Sequence, residues 1–145
     1  MGRLERNEVY EAMKNAAFLI VPGGWHEPFG LIAAEAFACG TPVLGTSAGA
    51  ITEMLEDGVN GLLFPPNNPD ALAEKVEWAW THLRQMAGMG KAARHAYEVR
   101  YTGNINYRTL MNIYDSAIDM HFGIKRTKPR LETVDGRRHP MQQPA

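Results

Sequence analysis

Cysteine is nearly absent from this 145-residue chain, and Cys39 is the only one. A single cysteine excludes an intramolecular disulfide framework, so the fold must rest on apolar burial. No run of about eighteen apolar residues occurs, and no integral membrane helix is expected. The opening stretch MGRLERNEVYEAMKN is polar and lacks the apolar segment of a secretory signal. Arg6 stands where a myristoylation signal requires serine or threonine. An excess of either charge is also missing. A formal net charge of -1 implies no general attraction to nucleic acid or to an anionic membrane. The expected setting is cytoplasmic, with no nucleic-acid partner.

Hydrophobic residues make up 45% of the chain and charged residues 21%, which fits one packed domain. RNEVYEAMKNA reads as a helix with Asn7 as its cap and Val9, Met13 and Ala16 on one face. AFLIV, PVLG and GLLF are short continuous apolar runs of the kind that form strands buried on both faces. Between them, Leu31 to Cys39 reads as a helix stopped by Gly40 and Pro42, and ITEMLE as a shorter one. DGVNG is turn chemistry. Asn68 caps the next helix with Pro69 as its first residue, and Gly88 and Gly90 are expected to separate it from a shorter helix ending near Tyr101. A last helix, from about Asn104 to His121, is expected to carry Leu110, Ile113, Tyr114 and Ala117 inward.

Alternating strands and helices predict an α/β fold, a partial Rossmann-like parallel sheet flanked by helices. Only three strands are expected, fewer than the five or six usual in a doubly wound domain. Residues 1–121 form the expected domain. Residues 122–145 differ in composition. Six cations against two carboxylates make this segment net +4 and leave -5 elsewhere, and it is expected to be a disordered basic tail.

The chemistry concentrates in VPGGWHEPFGLIAAEAFACGTPV. Here a strand leads through glycines into a helix whose first amides and dipole suit an anion. Gly30 permits close approach of a ligand to the backbone, and Phe29, Gly30 and Leu31 could offer amides to a phosphate. Glu35 follows Leu31 by four residues on the same face, roughly 6–8 Å farther along the axis. At that distance a carboxylate can accept from a vicinal diol such as ribose. Glu27, in the loop before the helix, could hold a hydroxyl-rich group beyond the phosphate. Spacing alone leaves the plain alternative open, with Glu27 solvated on a loop and Glu35 on an exposed helix face.

Among the other polar and aromatic residues, Cys39 is expected to be a packed, inert thiol. Trp78 and Trp80 share one helix, so at least one should reach the core. Thr46 and Ser47 could reach a ligand through their hydroxyls, whereas Glu53 is expected to be solvated or capping.

HEPFGLIAAEAFACGTPV, followed by GAITEMLEDGVNGLLFPPNNPDALAEKV, resembles the retaining, nucleotide-sugar-dependent glycosyltransferases of family 4, the glycosyl transferases group 1 type. The resemblance runs from about Gly2 to Ala117. The E-x7-E spacing alone is weakly specific, but EPFG, EAxACGTPV and DGxxGLL follow it in order. The resemblance implies the donor-binding, C-terminal half of a GT-B fold. It implies a donor-sugar and catalytic role for Glu27, backbone contacts to sugar and diphosphate from Phe29, Gly30 and Leu31, and a grip of Glu35 on the ribose hydroxyls. It further implies an NDP-sugar donor, an acceptor hydroxyl, no metal and no other cofactor.

Some features depart from the family pattern. Pro22-Gly23-Gly24-Trp25-His26-Glu27 has glycine where the family has serine and one residue more before the glutamate, and Ala50 replaces a usual glycine. The arginine and lysine that neutralise the diphosphate in the family precede this region, and Arg3, Arg6 and Lys14 do not match them. Each charged hydrogen bond is worth roughly 1.5–3 kcal/mol, so the chain is expected to be truncated and inactive without an N-terminal acceptor-binding domain. The alternative is a non-catalytic remnant or partner-binding module that pairs through a free sheet edge. An epimerase of the same two-domain fold fits the motif block less well.

Overall fold

The computed structural model describes residues 2–23 and 29–123. Its elements run α1 (Arg6–Asn15), β1 (Leu19–Val21), α2 (Leu31–Cys39), β2 (Val43–Thr46), α3 (Ile51–Met54), β3 (Gly61–Phe64), α4 (Pro69–Thr81), α5 (Leu83–Arg100) and α6 (Gly103–Phe122). The chain divides into two units, Met1–Glu98 and Val99–Ala145.

The first unit is built on a parallel sheet in the order β1-β2-β3. Leu19 pairs with Val43, and Val43 pairs with Gly61. Parallel neighbours require a crossover, and α2 and α3 supply the two. All four residues of β2 are buried, as befits a central strand, whereas β1 is only partly covered. The expected α/β fold with three parallel strands is therefore present.

Leu44, Leu62, Phe64, Ala79, Met86 and Met89 form a core cluster against which Leu72, Val76 and Trp78 pack. Phe37, Val43 and Ile51 are also fully buried. Trp78 thus reaches the core, and Trp80 stays 66% exposed on the outer side of the same helix.

Three local expectations need correction. Asn7 does not cap α1. Glu5 is the cap residue, and its N–H donates to the Glu8 carboxylate at 2.7 Å, a reach-back that places Asn7 inside the first turn. Gly88 and Gly90 do not end a helix. The break falls at His82, whose ring stacks on Trp78 at 4.4 Å, and α5 then runs on through both glycines. Gly90 is instead a packing site, since a Cβ there would stand 2.4 Å from the Gly40 carbonyl oxygen. Finally, α6 has no buried residue, and Leu110, Ile113, Tyr114 and Ala117 are exposed. Among the described residues of its unit, no second layer covers the apolar stripe of α6. Of the expected basic tail, residues 124–145 lie outside the described residues.

Asn68 caps α4 as expected, its side-chain oxygen accepting from the Ala71 amide at 3.0 Å, with Pro69 as the first helical residue.

Candidate functional site

The site is organised by α2. The helix leaves the carboxyl end of β1, so its N-terminus stands at the edge where parallel α/β sheets bind ligands. Gly30 opens it with φ +68°, a left-handed conformation that side chains disfavour. A second constraint acts there, because an added Cβ would come within 2.9 Å of the Met54 sulfur on α3. The Gly30 carbonyl accepts from Ala33 and Ala34 at 2.9 and 3.2 Å, so Leu31 and Ile32 stand in the first turn, ahead of the helix's own hydrogen-bond ladder. Gly30 has no side chain with which to cap this end, and no acidic residue occupies the first turn. The side chains of Phe29 and Leu31 are 67% and 62% exposed, whereas Gly30 between them is buried.

The other end of α2 is anchored. Gly40 closes it in the left-handed conformation, and the Arg94 guanidinium of α5 donates to the Ala38 carbonyl. Thr41 donates to the Met13 carbonyl at 2.7 Å and ties α1 to the same corner. Helix position, and with it the placement of Glu35, is therefore fixed from three sides.

Glu35 is half-buried on α2. Its Oε1 accepts from the Tyr10 hydroxyl at 3.3 Å. Tyr10 in turn accepts from Arg6 Nε and Nη2 at 3.2 and 3.0 Å. The Tyr10 hydroxyl, and more weakly the Glu35 charge, hold the Arg6 pKa above its ordinary value. Sequence reasoning passed over this chain. Arg6 and Tyr10 stand four residues apart on one helix face, a visible signal, but their link to α2 depends on tertiary packing.

Phe29, Gly30 and Leu31 thus stand at the start of α2, with the Glu35 carboxylate one turn along it. Glu27 lies outside the described residues. Thr46 is buried at the end of β2, and Ser47 and Glu53 are exposed. Cys39 is part-buried, and burial pushes its thiol pKa up, away from nucleophilic use. Among the described residues no group of three or more His, Cys, Asp or Glu side chains could hold a metal ion. Nor is any described helix long and apolar enough to cross a membrane. A separate concavity of about 730 Å³, lined by Val59, Leu62, Lys75, Trp78 and Met89, sits beside the turn that enters β3, at the opposite end of the strands.

A parallel sheet with helical crossovers and a glycine-opened helix at its carboxyl edge defines an α/β domain of the doubly wound type. More narrowly, the chain belongs to the glycosyl transferases group 1 family, whose model matches residues 1–96. It is 32% identical over 123 residues to a glycosyltransferase of Methanocaldococcus jannaschii, covering 83% of this chain and 30% of that protein. It is 34% identical over 114 residues to the D-inositol 3-phosphate glycosyltransferase of Nocardiopsis dassonvillei, covering 75% of this chain and 25% of the relative. Among solved structures, sucrose-phosphate synthase of Thermosynechococcus elongatus superposes with a TM-score of 0.76 at 26% identity, over 83% of this chain and 30% of that one. Anabaena HepE, solved in complex with UDP, superposes with a TM-score of 0.70 at 26% identity, over 76% of this chain and 30% of HepE. These neighbours are GT-B glycosyltransferases, and the α/β fold is theirs. The chain spans less than a third of the length of these relatives.

Proposed function

We propose that this chain is the nucleotide-sugar-binding part of a retaining glycosyltransferase, which moves a sugar from a nucleoside diphosphate to an acceptor hydroxyl. In this reading the amides at Phe29, Gly30 and Leu31 receive the diphosphate, where the helix dipole favours negative charge. Glu35 accepts from the two ribose hydroxyls, and Glu27 binds the transferred sugar. The observation that carries the proposal is the half-buried Glu35 carboxylate one turn along a glycine-opened helix. A carboxylate one turn from a bound phosphate repels a second anion and suits a neutral, hydroxyl-bearing ligand group such as a ribose diol.

Family membership supports glycosyl transfer as the reaction. The UDP held by HepE makes a uridine nucleotide the first to try. Metal is not needed in this scheme, since the donor diphosphate is met by backbone amides and by cations of the complete enzyme. The acceptor is held by a further domain or chain, and this chain alone is expected to transfer no sugar.

The test is calorimetric titration with UDP, GDP and ADP. Glu35→Ala removes two hydrogen bonds to a charged acceptor, each worth roughly 1.5–3 kcal/mol, so affinity for the preferred nucleotide should fall by at least tenfold. Unchanged affinity would remove Glu35 from the site.

A further inference from the structure

We propose that Tyr10 is a positioning residue for Glu35, its single hydroxyl proton aimed at the carboxylate because Arg6 occupies its acceptor side. The inference rests on the ribose role assigned to Glu35 above and deepens it. A tyrosine hydroxyl has one proton to give, and a guanidinium can only donate. Arg6 donates twice to the Tyr10 oxygen, at 3.2 and 3.0 Å, so that oxygen is an acceptor toward Arg6. Its proton is then left for Glu35 Oε1, 3.3 Å away. The direction of the chain, Arg6 to Tyr10 to Glu35, is fixed by donor chemistry alone.

Glu35 gains from this in two ways. A glutamate is a rotamer-rich side chain, and ordering one on binding costs affinity. Tyr10 meets that cost before the ligand arrives, from a helix that Thr41 secures through the Met13 carbonyl. The carboxylate also keeps its capacity. An ionised carboxylate offers about four lone-pair sites, Tyr10 takes one, and a vicinal diol needs two. The arrangement therefore orients Glu35 without filling it.

The consequence is specific. Tyr10 should matter only for ligands that use Glu35, namely those with both ribose hydroxyls. Tyr10→Phe keeps the ring and deletes the hydroxyl. It is expected to weaken binding of the preferred nucleoside diphosphate by about three- to tenfold. The 2′,3′-dideoxy counterpart should bind wild type and Tyr10→Phe alike. Equal weakening of both nucleotides would mean a merely structural role and would overturn the proposal. Wild-type affinity in Tyr10→Phe, with Glu35→Ala weakened, would overturn it too and leave the ribose reading standing. Undiminished binding by Glu35→Ala would sink that reading instead. A ligand-free readout completes the test. Side-chain couplings of Glu35 measured by NMR should report one χ1 rotamer in wild type and averaging in Tyr10→Phe, and a single rotamer in both proteins would contradict the positioning role.

Discussion

Gly30 meets two demands at once. It bends the chain into the left-handed region at φ +68°, and it leaves room for the Met54 sulfur, 2.9 Å from where a Cβ would stand. The first demand costs an L-residue roughly 1–2 kcal/mol, and the second forces a shift of α3 or of the helix start. Gly30→Ala should therefore lower stability by about 1–3 kcal/mol, read as a fall in the urea midpoint at unchanged slope. A variant as stable as wild type would show that the turn tolerates a side chain. The sequence marked Gly30 as special by expecting a ligand close to its backbone, whereas the demands found in the fold are the left-handed φ and the Met54 contact. The tight contact with Met54 was not, because it joins residues 24 positions apart through packing. The position of Glu35 on α2, one turn after Leu31, was legible through spacing. Its partner Tyr10 was not, since no periodicity along one helix states which residue of another helix it meets.

At the scale of elements, most of the order was legible. Buried strands announced themselves as AFLIV, PVLG and GLLF, and the ends of α2 and α4 as Gly40 and Asn68-Pro69. Glycine inside α5 misled, because intrinsic preference competes with close packing and loses. The two glycines differ in a way that can be measured. A Cβ at Gly88 meets no heavy atom within 4 Å among the described residues, whereas one at Gly90 would collide with the Gly40 carbonyl. Gly88→Ala should stabilise the protein by up to about 1 kcal/mol through helix propensity. Gly90→Ala should destabilise it by about 1–3 kcal/mol or more, since backbone must move. Thermal melts of the pair that shift in the same direction would contradict this account. α6 misled for a different reason. Its apolar positions recur at helical spacing, but periodicity names a stripe and not the surface that covers it.

Within the first unit, the sheet and its crossovers put a glycine-opened helix start at the carboxyl edge, where parallel α/β sheets bind ligands. The concavity beside β3 lies at the other end of the strands, so the two surfaces can be told apart by residue. The measurement that bears most directly on the central claim is a chemical-shift map of the chain titrated with UDP, GDP and ADP. The account expects saturable shifts at the amides of Gly30, Leu31 and Ile32 and at Glu35 and Tyr10, with one nucleotide preferred. Shifts confined to Val59, Trp78 and Met89, or none in a folded protein, would contradict it.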